Sequence, residues 1–261
     1  MTQDENKCNI FNMQILRTRF KEEIIAEFLP GREGSNKVII ICTGMPGYPG
    51  RRDELLEFLA KEGYWTILPR YRGTWESDGK FLKESPHQDI LDIISELESG
   101  FTELWGMNRF SIKNPEIYLL GSSFGGPAVL LASKHPRVKK AVALSPVVDW
   151  RVESKVEPFE HLSRFMREAF GNGYRLDSSD FFKLKEGRFY NPVDEISNLS
   201  ADKIMIYHAK DDEVVDFEPV KKFTKKLGCL FVPHKSGGHL STSTIMTPRF
   251  WKKIKKFLDG E

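Results

Sequence analysis

Seven short runs of apolar, often β-branched residues recur along the chain: EIIAEFL (23–29), KVIIICT (37–43), YWTILPRY (64–71), EIYLLG (116–121), VKKAVAL (138–144), KIMIYH (203–208) and CLFV (229–232). Residues that are apolar at consecutive positions, instead of at every second one, suit strands covered on both faces, and sheets covered on both faces are mainly parallel. Parallel neighbours need crossover connections. Helical patterns lie where those connections fall. One places Ile90, Ile93, Ile94, Leu97, Phe101, Leu104 and Trp105 at 3.6-residue spacing after Pro86, and others begin near Arg51, Gly126, Glu218 and Pro248. The expected fold is therefore α/β: a single domain over 1–261 with a mostly parallel central sheet and helices on both faces. NIFNMQILRTRF (9–20) is expected to add one or two antiparallel strands at an edge.

One connection breaks the rhythm. Between Val147 and Ser200 the distance from strand to strand is about three times the usual length. Within it, Phe159, Leu162, Phe165, Met166, Ala169 and Phe170 form a helical stripe between Pro158 and Gly171, and Phe181, Phe182 and Leu184 form a second apolar cluster. The segment 147–200 is expected to be a small helical cap whose Phe159, Phe165, Met166 and Phe170 face substrate. Peripheral helices that only complete the core are the alternative.

The run EIYLL leads into Gly121-Ser122-Ser123-Phe124-Gly125 and then into the helical stretch GPAVLLASKH. This G-x-S-x-G pattern centres on Ser123, in the strand–turn–helix setting where a sharp elbow exposes a hydroxyl at the C-terminal edge of a sheet. The elbow strains the serine, and glycines leave room for the neighbouring backbone. Ser123 is the expected nucleophile, and Ser122 a turn hydroxyl. A serine needs a base to take its proton. His87, His135 and His161 lie in helical or cap contexts, and His208 sits inside a buried strand. Of the remaining two, His234 is still close to its strand, while His239 follows Ser-Gly-Gly in the last loop and is the better candidate. The acid that orients the base should follow the penultimate strand, where YHAKDDEVV offers Asp211 or Asp212. The loop TGMPGYPG (43–50) can bring the Met45 amide to the oxyanion, with the Phe124 amide as second donor.

Taken together, TGMPG (43–47), YRGTWESDGKF (71–81), GSSFGG (121–126), SPVVDW (145–150), HAKDDEVV (208–215) and GGHL (237–240) resemble the α/β-hydrolase superfamily over essentially the whole length. Within it the chain is similar to the catalytic domains of prolyl oligopeptidase-like serine hydrolases and to small esterases. The resemblance implies a Ser-Asp-His triad in that chain order, with the acid at the first aspartate of the pair, Asp211, beside Ser123 and His239. The chain departs from many relatives at Thr43-Gly44 and His208-Ala209, where they carry His-Gly. Its length also leaves no room for the β-propeller of prolyl oligopeptidases.

The expected activity is hydrolysis of a carboxylic ester through an acyl-enzyme. A peptidase or amidase is the alternative within the class, and a non-catalytic hydrolase-like binding module the alternative outside it. No cofactor or metal is expected, since Cys8, Cys42 and Cys229 have neither zinc spacing nor a disulfide framework. With 39 basic and 37 acidic residues, the charge balance predicts no nucleic-acid partner, and the partner is a small ester or short peptide. The polar N-terminus is no secretory signal, and the longest uncharged stretch, 117–133, is too short to span a bilayer, so a cytoplasmic location is expected. FWKKIKKFL (250–258) sets an apolar face against lysines, as a membrane-surface helix would, but a terminal helix packed on the sheet gives the same pattern and is the expectation.

Overall fold

The computed structural model describes residues 14–50 and 52–260; Cys8 and the first part of the N-terminal strand motif lie outside them. In chain order the elements are β1 (Leu16–Phe20), β2 (Ile24–Leu29), β3 (Lys37–Cys42), α1 (Asp53–Lys61), β4 (Trp65–Pro69), α2 (His87–Leu97), β5 (Phe101–Thr102), β6 (Arg109–Phe110), β7 (Glu116–Ser122), α3 (Gly125–Ala132) and β8 (Val138–Leu144). There follow α4 (Phe159–Phe170), α5 (Ser178–Lys185), β9 (Ile204–Ala209), α6 (Phe217–Leu227), β10 (Leu230–His234) and α7 (Pro248–Leu258), with short 3₁₀ turns between them.

The main sheet has the order β1-β2-β4-β3-β7-β8-β9-β10. From β4 through β10 every neighbouring pair is parallel, and β1 and β2 form the antiparallel edge. The apolar runs are covered on both faces, as their consecutive hydrophobicity requires. In β3, Val38, Ile40 and Cys42 face a core shared with α2, α3 and α6, while Ile39 and Ile41 face a second core shared with α1 and α7. The apolar stripe of α7 is spent on that second core, where Trp251, Ile254 and Leu258 are buried. Among the described residues no helix is long and apolar enough to cross a membrane.

The pattern after Pro86 ends sooner than its spacing suggests. The helix stops at Leu97, and Gly100, with φ of +103°, turns the chain so that Phe101 enters the short β5–β6 ladder. Phe101 still reaches the core, packing edge-on against Phe28, but Leu104 and Trp105 are exposed. A left-handed glycine interrupts a 3.6-residue pattern that its apolar flanks continue by chance.

The connection from β8 to β9 carries α4 and α5, and α4 spans the residues between Pro158 and Gly171. This segment is bound to the body of the protein. The Trp75 amide donates to Gly173 O at 2.9 Å, the Phe81 amide to Arg175 O at 2.8 Å and the Arg175 amide to Gly73 O at 2.8 Å.

Backbone proximity sets the geometry where β7 meets α3. A Cβ added to Gly125 would lie 2.1 Å from the Cys42 carbonyl oxygen, and one added to Gly121 would lie 2.4 Å from Gly125 O. Helix α3, buried along its whole length, can dock against β3 only with hydrogen at position 125. Gly125→Ala is expected to lower unfolding free energy by about 1–3 kcal/mol or more in a denaturant titration, because the obstacle is main chain. Gly47→Ala, where no atom lies within 4 Å of the added carbon, should stay within about 0.5 kcal/mol of the parent.

Candidate active site

Ser123 sits between the end of β7 and the start of α3 with φ of +52°, in the left-handed region that costs a non-glycine residue conformational energy. Two backbone hydrogen bonds from the end of β8 and the loop after it hold it there: its amide donates to Leu144 O at 3.0 Å, and its carbonyl accepts from the Val147 amide at 3.3 Å. Ser122 is buried as the last residue of β7.

The loop after β3 passes directly over the elbow. A Cβ on Gly44 would lie 3.0 Å from Ser123 Cβ and 3.5 Å from its Oγ. Met45 and Phe124, the two expected amide donors, line one small pocket together with Ser123. The loop is anchored from outside. Tyr71 Oη donates to Thr43 O at 3.0 Å, Trp75 Nε1 donates to Gly47 O at 3.2 Å, and the Gly47 amide donates to Tyr174 Oη at 2.9 Å.

His239 shares the larger cleft with Ser123. Its Nδ1 stands 3.0 Å from both carboxylate oxygens of Asp212, not of Asp211. This corrects the expectation for the acid. Asp212 turns inward because its Oδ1 accepts the amides of Val214 and Val215, each at 3.0 Å, as a short polar side chain does when it caps its own turn. Burial pushes the Asp212 carboxyl up, yet the hydrogen bonds from His239, from the Val215 amide and from the Ser145 hydroxyl outweigh it and hold the group below its ordinary value. An ionised acid at this place is what a paired imidazole requires. Asp211 points the other way. Its two oxygens accept the amides of Gly237 at 3.1 Å and Gly238 at 2.9 Å, which lowers its carboxyl and ties down the glycine loop that carries His239. The sequence cue was the Asp-x-Val-Val spacing, in which position 212, and not 211, reaches the amides two and three residues ahead.

Of the other histidines, His208 borders this arrangement, with its Nε2 3.5 Å from Asp212 Oδ2, and His234 lies apart from it. His208 is fully buried, with Nε2 2.9 Å from Val215 O and burial pushing its pKa down. His234 stacks flat on Phe250 with ring centroids 4.7 Å apart.

Two spaces meet at Ser123. The outer cleft, about 340 Å³, is lined by His239 with residues of the 43–50 loop, Trp75, Tyr174 and Phe165. The inner pocket, about 70 Å³, runs under the long connection past Phe124, Trp150, Phe159, Leu162 and Val214. Thus Phe159 and Phe165 each line one of the two spaces. Met166 and Phe170 line neither. Met166 is buried in the core, and Phe170 packs on Trp75, Tyr174 and Tyr48. A helical stripe marks an apolar face; it does not say whether protein, substrate or solvent meets each residue of it. Among the described residues no group of His, Cys, Asp or Glu is arranged to hold a metal ion.

Comparison with known proteins gives the same fold and a family. An esterase of Pyrococcus furiosus superposes with a TM-score of 0.64 at 17% identity, covering 96% of this chain and 91% of its own. An acylaminoacyl peptidase of Pyrococcus horikoshii superposes with a TM-score of 0.64 at 16% identity over 97% of this chain and 42% of its own. In sequence, a lysophosphatidylserine lipase of Danio rerio is 26% identical over 73% of this chain and 47% of its own length. The chain spans about half the length of the curated relatives it matches. Residues 52–247, which hold the elbow, Asp212 and His239, match the model of the prolyl oligopeptidase family, and the chain belongs to that family of serine hydrolases.

Proposed function

We propose that the chain hydrolyses carboxylic esters with short acyl groups through an acyl-enzyme on Ser123. The observation that carries this reading is a strained, half-buried serine sharing a cleft with an imidazole whose far nitrogen is held by a buried carboxylate. In the forward step His239 Nε2 takes the Ser123 proton as Oγ attacks the ester carbonyl. Asp212 fixes the tautomer with the proton on Nδ1 and stabilises the imidazolium. The amides of Met45 and Phe124 receive the oxyanion. As the tetrahedral species collapses, the C–O bond to the alcohol breaks and the alcohol leaves with the proton from His239. Water then repeats the sequence on the acyl-enzyme and releases the acid and Ser123.

The two spaces divide the substrate. A leaving group must take its proton from His239, which lines the outer cleft and not the inner pocket. The alcohol part therefore belongs in the outer cleft and the acyl part in the inner pocket. That pocket is small and largely apolar, and its charged lining residues are Asp149, Glu153, Glu157 and Asp216, with no lysine or arginine among them. It suits short, neutral or cationic acyl groups and disfavours a carboxylate. The lipase and esterase named above support an ester, while the acylaminoacyl peptidase supports the second reading, a peptide or amide at the same triad.

The acid is tested by comparing two variants on one ester. Asp212→Asn should lower kcat by roughly 10³- to 10⁴-fold, since an amide there favours the wrong imidazole tautomer. Asp211→Asn keeps one acceptor for the glycine loop and should cost less than about tenfold. Ser123→Ala should abolish labelling by a fluorophosphonate probe; labelling that persists would exclude Ser123 as the nucleophile. On a series of nitrophenyl esters, acetyl to butyryl should outpace octanoyl. Phe159→Leu should raise the longer-to-shorter ratio about tenfold, the scale of one or two methylenes in an apolar pocket. Met166→Ala should lower the melting temperature and leave that ratio unchanged.

A further inference from the structure

The C-terminal end of β8 touches every part of the site. Leu144 and Val147 clamp the Ser123 backbone from either side, and the residue after Leu144, Ser145, extends the sheet by donating its amide to Tyr207 O at 2.9 Å. The Ser145 side chain then turns to the other half of the triad. Its Oγ accepts the amide of Leu240, the residue after His239, at 3.0 Å. A hydroxyl that accepts from an amide still has one proton to give, and a carboxylate can only accept. The Asp212 carboxylate, whose pKa the Ser145 side chain helps to lower, is the acceptor available to it.

Ser145 is also strained. Its φ is +45°, and it is fully buried, followed at once by Pro146, which packs on Gly126 of α3. Glycine would relieve that conformation at no steric cost. A serine held in a glycine-like conformation in a closed interior is useful only through its hydroxyl.

We propose that Ser145 is a positioning residue of the triad: its hydroxyl bridges the Asp212 carboxylate and the Leu240 amide, fixing acid and base relative to each other and to the nucleophile clamped by the same strand end. The proposal rests on the Ser123–His239–Asp212 reading. It acts through geometry, since Ser145 touches neither the inner pocket nor the outer cleft.

The test uses Ser145→Gly and Ser145→Ala, both lacking the hydroxyl, with the first also free of the backbone strain. On a short-chain nitrophenyl ester, both should lower kcat about 10- to 100-fold, the scale of a misplaced catalytic group, with KM within about threefold of the parent. Ser145→Gly should melt at or above Ser145→Ala, so that catalysis and stability separate. A downfield proton resonance of His239 Nδ1, expected in the parent, should shift or broaden in both. A kcat within twofold of the parent in Ser145→Gly would overturn the proposal, as would a rise in KM with kcat unchanged. Ser123→Ala and Asp212→Asn are measured alongside. If they lose activity and Ser145→Gly does not, only the role of Ser145 falls; if Ser123→Ala stays active, the triad reading falls and takes this proposal with it.

Discussion

The approach of α3 to β3 is the constraint on which the rest of the site depends. With hydrogen at position 125, the helix start comes close enough to the Cys42 carbonyl that the chain must reverse within the two residues Ser123 and Phe124. That reversal puts Ser123 in the left-handed region and leaves the Phe124 amide at the head of a helix, where partial positive charge collects. The same closeness brings the loop after β3 over the serine, since Gly44 follows Cys42 by two residues. The proposed nucleophile and the expected oxyanion donors are thus set by one backbone contact, before His239 or Asp212 is considered.

What was legible in the sequence follows from how local the determining physics is. Strands covered on both faces announce themselves through consecutive apolar residues, and the elbow announces itself because only glycine satisfies positions 121 and 125. The antiparallel edge and the terminal helix were readable for the same reason. The choice between Asp211 and Asp212 was less local. It turns on which carboxylate reaches the amides of Val214 and Val215 and which reaches Gly237 and Gly238, a loop some 26 residues away in sequence. Resemblance to relatives selected the first aspartate, and turn geometry selected the second. Met166 and Phe170 were misplaced for a related reason: the 3.6-residue stripe of α4 identified an apolar face without its partner, and protein covers Met166 while Phe165 stays exposed.

Both aspartates nonetheless serve one end. Asp212 holds the imidazole and Asp211 holds the glycines that precede it, so His239 is fixed through its ring and through its backbone by neighbouring residues of one turn. Adjacent carboxylates repel when both are ionised, and here each is compensated by its own set of N–H donors, which lowers both. The pair is stable as two anions because the fold supplies donors on opposite sides of the chain.

The long connection between β8 and β9 enters this arrangement from the opposite side. Tyr174 exchanges hydrogen bonds with both the amide and the carbonyl of Gly47, and Tyr190 donates to the Phe124 carbonyl. Those two tyrosines therefore brace the two segments that carry the expected oxyanion donors. Trp75, outside the connection, reaches the same glycine and packs edge-on against Tyr174. A segment that only roofed the pocket could vary freely in its contacts with the sheet edge. This one is coupled to the main chain at Gly47 and Phe124, so a change in its packing displaces the amides next to Ser123 as well as the walls of the inner pocket. For the proposed reaction, selectivity and rate are mechanically linked, because the aromatic residues that shape the pocket belong to the same packed cluster as those that hold the loop in place.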